Sequence, residues 1–198
     1  MAQVLLLVVS VVVAVAADEC MPPKPEEMKG KMDPWKCCDL AKFFPEKMAD
    51  SFSTCREKHP LPPKPSGPPS GKPDPEMMKM FTCAAECVFT EAGLIKGGKP
   101  DKEAIKKVFI SPIKDNKELE EVTNTALDKC YDSYVAEIDT SLECKSGALE
   151  LEKCMLREVY MNCPKDNWND KPDCVDIKTK LTKCPKLHIL SLNPGHKE

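Results

Sequence analysis

Cys83 and Cys87 stand in the run CAAEC, three residues apart, and ten further cysteines are spread along the 198-residue chain. A CxxxC pair can hold a metal ion or supply two disulfide partners. On a helix, side chains at i and i+4 have Cβ atoms ~5–6 Å apart, whereas a disulfide wants ~3.5–4.5 Å. The pair is therefore expected to reach out to two different segments. Adjacent Cys37 and Cys38 point ~100° apart on a helix, and they too are expected to serve separate partners. Twelve is an even number, and in an oxidising compartment six disulfides are the default reading, ahead of zinc.

Catalytic constellations are absent from the sequence. There are three histidines, His59, His188 and His196, and no HExxH, GxSxG or phosphate-loop motif. Asp128, Asp132 and Glu137 read as a solvated helix face. No enzyme activity, cofactor or metal is expected. The formal net charge is −3 with no basic block, which gives no support to a nucleic-acid partner.

The elements that must carry the cysteines follow from capping and periodicity. Asp74, Pro75 and Gly93 bracket a helix over Met77 to Gly93. Met77, Phe81, Ala84 and Val88 make one apolar stripe on it, and Met78, Ala85 and Phe89 its neighbour. A helix this apolar is expected at the centre of the core. Asp33-Pro34 predicts a helix from Trp35 through Cys37, Cys38, Leu40, Phe43 and Phe44, pausing at Pro45 and resuming through Met48, Phe52 and Cys55. Asp101 caps a short helix through Ile105, Val108 and Phe109, stopped by Pro112. Asp115 with Glu118 predicts a capping box opening a helix through Leu119, Val122, Ala126, Leu127, Cys130, Tyr131, Tyr134, Val135 and Ile138. Ser146 opens one carrying Leu149, Leu151, Met155, Leu156, Val159 and Tyr160. Asp170 to Cys184 holds a last short one. No stretch alternates strongly enough for a strand, so the class is all-α.

Residues 1–17 carry no charge and end in Val15-Ala16-Ala17. They read as a secretory signal peptide, too short to span a bilayer. The expected mature protein is a single ligand-binding domain, 18–198, secreted and without stable membrane insertion. It would have an N-terminal extension (18–54), a proline-rich loop (59–75) and a C-terminal extension (164–198).

The gaps between cysteines carry more. Twenty-seven residues separate Cys55 from Cys83, three Cys83 from Cys87, 42 Cys87 from Cys130, and eight Cys154 from Cys163. This spacing, with CAAECVFTEAGLI, resembles the six-cysteine signature of insect odorant-binding proteins. Cys37-Cys38, Cys144, Pro164 directly after Cys163, and Cys174 resemble the Plus-C subclass. The resemblance covers roughly Cys37 to Cys174. It implies a compact disulfide-stapled domain of six to eight helices around an apolar cavity, binding small hydrophobic molecules such as odorants or pheromones without catalysis. The same physics would serve a non-olfactory lipid or toxin carrier; a third class is a disulfide-rich defence or inhibitor protein. A chemosensory receptor stays open as a partner, as do monomer and homodimer.

The resemblance further implies the pairs Cys55–Cys87, Cys83–Cys154 and Cys130–Cys163. It leaves Cys20, Cys37, Cys38, Cys144, Cys174 and Cys184 for three more bridges, and sequence proximity suggests Cys20 with Cys37 or Cys38. The expected pocket lining is Met77, Phe81, Val88 and Phe89, Val108 and Phe109, Leu127, Tyr131, Tyr134 and Val135, and Met155 and Val159. In the tail, Leu187, Ile189, Leu190 and Leu192 are too apolar for a free end. They are expected to pack back and help close the pocket, with His188 as a pH-sensitive contact and Asn193 to Glu198 loose.

Overall fold

The computed structural model describes residues 20–23, 27, 29–38, 46–60 and 74–192. The signal peptide over 1–17, Leu40, Phe43, Phe44 and Pro45, the proline-rich stretch 61–73 and the end from Asn193 lie outside the described residues. The chain divides into two compact units: Cys38–Trp168, and a second drawn from the residues up to Cys37 and from Asn169 onward.

Among the described residues of Cys38–Trp168, five α-helices follow one another: α1 (Glu46–Lys58), α2 (Pro75–Glu91), α3 (Lys102–Ile110), α4 (Lys117–Ser133) and α5 (Ala148–Met161). Local chemistry sets their ends. The Asp74 and Asp101 side chains accept from Glu76 N and Ala104 N, at 2.9 and 3.0 Å. At the far end of α2, Gly93 takes φ +73°. Gly93 N donates to Thr90 O and Leu94 N to Phe89 O, closing a Schellman motif. Helix α4 is capped by Asn116, which accepts from Leu119 N at 3.1 Å, and not by the expected Asp115. Either side chain can cap, and the Asn116 backbone is in the extended conformation a cap needs. Helix α4 also stops at Ser133, and Tyr134–Glu137 continues as a 3₁₀ turn.

The expectation of no strand is corrected in one small place. Ile95–Lys96 (β1) and Lys99–Pro100 (β2) form an antiparallel ribbon, with Ile95 opposite Pro100 and Lys96 opposite Lys99. Gly97 and Gly98 both have positive φ, as a two-residue hairpin turn of this hand requires. The class remains all-α.

The core helix is α5. Its heaviest packing is on α4, with α2 and the 134–137 turn against other faces. None of its fourteen residues is exposed. The expected centre, α2, instead packs between α1 and α5.

In the second unit, Pro34–Lys36 is a single 3₁₀ turn with Asp33 accepting from Trp35 N at 3.0 Å, not the start of a long helix. Helix α6 (Pro172–Lys183) follows, then a 3₁₀ turn at Ile189–Leu192 that lies against Pro34–Lys36. Met32 N donates to Asp173 Oδ2 at 3.0 Å, and Lys31 adds an ion pair to the same carboxylate.

All twelve cysteines are bonded. Cys55 joins Cys87. Cys83 joins Cys144, not Cys154; Cys130 joins Cys154, not Cys163; and Cys163 is taken by Cys38. Cys20 joins Cys184, 164 residues away, not Cys37 or Cys38, and Cys37 joins Cys174. The interleaved order implied by the resemblance (first to third, second to fifth, fourth to sixth) survives with Cys144 as fifth and Cys154 as sixth. The reason is geometric. Helices α4 and α5 lie side by side, which brings Cys130 and Cys154 to a Cα separation of 5.7 Å, inside the range a disulfide spans. Cys163 lies past the end of α5.

Candidate ligand-binding site

Two edges of α2 are tied down. On one, three successive turns meet three positions of one loop. Lys79 pairs with Glu143 at 2.5 Å, Cys83 bonds Cys144, and Glu86 Oε2 accepts from Ser146 N at 2.9 Å. Glu143 holds Lys79 above its usual value by hydrogen bond and charge, and Lys79 holds Glu143 below its own. Both side chains are solvent-exposed, so this contact fixes register more than it adds stability. On the other edge, Cys87 bonds Cys55 and Glu91 accepts from Lys58 at 2.6 Å, both on α1.

At ~100° per residue, the stripe Met77, Phe81, Ala84, Val88 lies roughly opposite the loop edge. It changes character along its length. Val88 is 2% exposed, Ala84 and Met77 are half-buried, and Phe81 is 41% exposed. Met78 and Met80, beside it, are half-buried too.

The loop past Glu143 leads into α5 through Gly147. This residue has φ +83°, and a Cβ there would stand 2.5 Å from Cδ2 and Cε2 of Tyr134 and 2.9 Å from Cδ1 of Ile138. Only glycine lets the Tyr134 ring lie on the backbone at that point. Tyr134 is buried, which pushes its phenol up.

The twelve residues expected to line a pocket divide three ways. Val88, Phe89, Phe109, Leu127, Tyr134, Met155 and Val159 are buried, none more than 4% exposed. With so little accessible surface, they pack against protein atoms. Met77, Val108 and Tyr131 are half-buried. Tyr131 is engaged structurally: its hydroxyl donates to Pro100 O at 2.9 Å, its ring lies 5.5 Å from that of Tyr134, and Lys102 Nζ sits 5.2 Å from its centroid. Phe81 and Val135 are exposed. Val135, at 59%, belongs to no core face. Its grouping with Leu127 and Tyr131 assumed a helix through Ile138, and the α-helical spacing ends at Ser133.

Sequence reasoning passed over Leu94 and Ile113 as principal core residues, although each is at most 2% exposed. It also missed Phe52 as a surface residue, at 41%. The Gly93 Schellman turn was the available signal for Leu94, because the residue after such a glycine commonly makes an apolar contact. Two hydroxyls on the core faces, Thr123 Oγ1 and Tyr160 OH, have no hydrogen-bond partner among the described residues. The Tyr160 ring instead stands edge-on to Trp168, with centroids 5.4 Å apart, and burial pushes its phenol up.

A surface depression of about 200 Å³ lies along α4 and α5, lined by Glu121, Val122, Thr125, Ala126, Glu158 and Asn162. Its two carboxylates, one paired with Lys129 at 2.8 Å, make it a poor seat for an apolar molecule. In the tail, Leu187, Ile189 and Leu192 are buried and His188 is half-buried. Among the described residues, no group of three or more His, Cys, Asp or Glu side chains has metal-holding geometry, and no helix is long and apolar enough to cross a membrane.

Residues 74–180, more than half of the chain, match the family described as AgamOBP47-like. Three Anopheles gambiae proteins are similar along most of their length. Odorant-binding protein 47 is 26% identical over 188 residues, covering 87% of this chain and 76% of its own. General odorant-binding protein 67 is 23% identical over 156 residues, covering 75% and 72%. General odorant-binding protein 68 is 26% identical over 159 residues, covering 75% and 68%.

Proposed function

Because the chain belongs to the AgamOBP47-like family of insect odorant-binding proteins, we propose that it is a secreted carrier of small hydrophobic molecules, odorants or pheromones or compounds like them, acting by binding and release without catalysis. The observation that carries this reading is the family match over residues 74–180, which hold Cys83, Cys87, Cys130, Cys144 and Cys154 of the three interleaved disulfides. Three bridges lie outside that set, Cys20–Cys184, Cys37–Cys174 and Cys38–Cys163, and they support assignment to the Plus-C subclass. Twelve paired cysteines belong to an oxidising compartment, which agrees with residues 1–17 acting as a signal peptide and a mature chain from Asp18.

The carrier reading also fits the apolar surface left on α2. Thioether side chains are flexible and polarizable and suit varied apolar partners. The test is uptake of a small apolar fluorophore such as N-phenyl-1-naphthylamine by the oxidised protein, then its displacement by a panel of volatiles and fatty-acid derivatives. Micromolar uptake and selective displacement are expected. No uptake by a correctly folded protein overturns the reading. Expression by tissue separates an olfactory carrier from one serving other secretions.

A further inference from the structure

Each of the six disulfides lies wholly inside one compact unit. Cys20–Cys184 and Cys37–Cys174 close the unit made from the two ends of the chain. Cys38–Cys163, Cys55–Cys87, Cys83–Cys144 and Cys130–Cys154 lie in Cys38–Trp168. The boundary runs between adjacent Cys37 and Cys38, so two neighbouring residues staple two different units.

The two units have unequal means of closing. Cys38–Trp168 has five α-helices among its described residues and the buried faces of α2 to α5 to drive its own folding. Among its described residues the terminal unit has one complete α-helix, α6, of 12 residues. A helix of that length is marginal by itself. The halves that must meet are also distant in sequence, with cysteines 137 and 164 residues apart. Two features of Cys38–Trp168 hold its ends together: Cys38 bonds Cys163, and Cys38 pairs with Trp168 in an isolated antiparallel bridge. In the terminal unit, Asn169 N then donates to Cys37 O at 2.8 Å.

The gain is a shorter loop. With Cys55–Cys87 and Cys83–Cys144 closed, the covalent path from Cys37 to Cys174 runs 18 residues to Cys55, four from Cys87 back to Cys83 and 30 from Cys144 onward, about 52 in all. Once Cys38–Cys163 exists, the path is one residue to Cys38 and eleven from Cys163, about 12 in all. The probability of closing a flexible loop falls roughly as the 3/2 power of its length, so the shorter path favours Cys37–Cys174 about ninefold. Cys37–Cys174 in turn leaves 17 residues back to Cys20 and ten on to Cys184.

We propose that Cys38–Cys163 is the tie on which closure of the terminal unit depends: it forms with the fold of Cys38–Trp168, and Cys37–Cys174 and then Cys20–Cys184 follow from it. Each closure consumes one small-molecule disulfide such as oxidised glutathione. One cysteine thiolate attacks it, forming a mixed disulfide and expelling one glutathione thiolate; the second cysteine thiolate attacks the mixed disulfide and expels the other. Two protein thiols are oxidised to one bridge, one glutathione disulfide is reduced, and the two thiol protons end on the two glutathione thiols.

The experiment reduces and unfolds the full chain, reoxidises it in a glutathione buffer, and stops samples by acid and alkylation for peptide mapping. In the unmodified chain Cys38–Cys163 is expected before Cys37–Cys174, with Cys20–Cys184 last. In the double variant Cys38→Ala/Cys163→Ala, Cys37–Cys174 is expected to form about ninefold more slowly. The reverse variant, Cys37→Ala/Cys174→Ala, is expected to leave the rate of Cys38–Cys163 unchanged. Mapping Cys55–Cys87, Cys83–Cys144 and Cys130–Cys154 in the first variant checks that the inner unit still closes. Cys37–Cys174 forming there at the unmodified rate overturns the proposal. So does Cys37–Cys174 or Cys20–Cys184 leading in the unmodified chain, an outcome that needs no variant to fold. Equal slowing in both variants overturns it as well, because the two bridges would then form in one cooperative event and not in sequence.

Discussion

Helices α2 and α5 pack against each other, and their environments reverse what their compositions suggest. In α2, four of seventeen residues are charged; in α5, five of fourteen are. Yet α5 has no exposed residue, while α2 leaves Phe81 in solvent and three methionines half-covered. Composition measures how much apolar surface a helix brings. Burial depends on how many neighbours reach it. Helix α5 is covered by α4, by α2 and by the 134–137 turn.

The comparison can be broken by truncating α5. Met155 and Leu156 are buried on its inner faces. Met155→Ala and Leu156→Ala should each cost about 2–5 kcal/mol, by lost transfer energy and the cavity left behind. Denaturant unfolding of the oxidised protein measures this. If either costs less than Phe81→Ala on α2, α5 is not the structural centre.

A somewhat smaller effect is expected at the junction that feeds α5. Gly147→Ala forces an L-residue into the left-handed region, about 1–2 kcal/mol, and drives its Cβ into the Tyr134 ring at 2.5 Å. Together about 2–4 kcal/mol should be lost. A further Tyr134→Ala change should recover part of the Gly147→Ala loss, because it removes the obstacle. No coupling between the two would place the cost in the backbone alone.

Whatever local chemistry decides was legible in the chain. Asp74, Asp101 and Gly93 announce helix ends because a cap needs only its own side chain or its own φ. Cys83 and Cys87 could be kept from bonding each other because one helical turn fixes their separation. What depends on distant neighbours was not. The pairing slipped by one cysteine because the eight-residue gap between Cys154 and Cys163 matched the signature, whereas the contact of α4 with α5 selects Cys154 for Cys130. Val135 was placed on a core face by a period that stops at Ser133. Phe52 and Phe81 carry the same apolar signal as Phe89, which is 1% exposed. Nothing local to either residue says which of them the packing will cover.

The half-buried charges of α5 make the comparison pH-dependent. Burial pushes the Glu152 carboxyl up to about 7, with Lys153 pulling it weakly back. Lys153 is itself held below its usual range by burial, and Glu150 and Glu152 oppose that. A carboxyl raised in the folded state keeps a proton there that the unfolded chain releases. Its contribution is therefore complete below the unfolded value near 4.5 and is lost as pH rises through about 7. Between pH 5 and pH 8 the protein should lose about 1–3 kcal/mol that Glu152→Gln does not lose. Parallel stability profiles for the two proteins would mean that water reaches the Glu152 carboxylate.

The smallest effect on stability is expected at the exposed phenylalanine of α2. Phe81 is 41% exposed, so Phe81→Ala removes only partial burial, about 1 kcal/mol. It leaves a notch open to solvent rather than a closed cavity, so the added cavity cost of a core truncation is absent. The ties on both edges of α2 remain: Cys55–Cys87 and Lys58–Glu91 on one side, Cys83–Cys144 and Glu86 to Ser146 on the other. The variant should therefore unfold within a few tenths of a molar urea of the unmodified protein, since slopes for small proteins are ~1–3 kcal/mol per molar. The core residue Met155, 2% exposed, should lose far more stability on truncation to Ala. If Phe81→Ala instead destabilises as strongly as Met155→Ala, the N-terminal half of α2 is as covered in solution as α5.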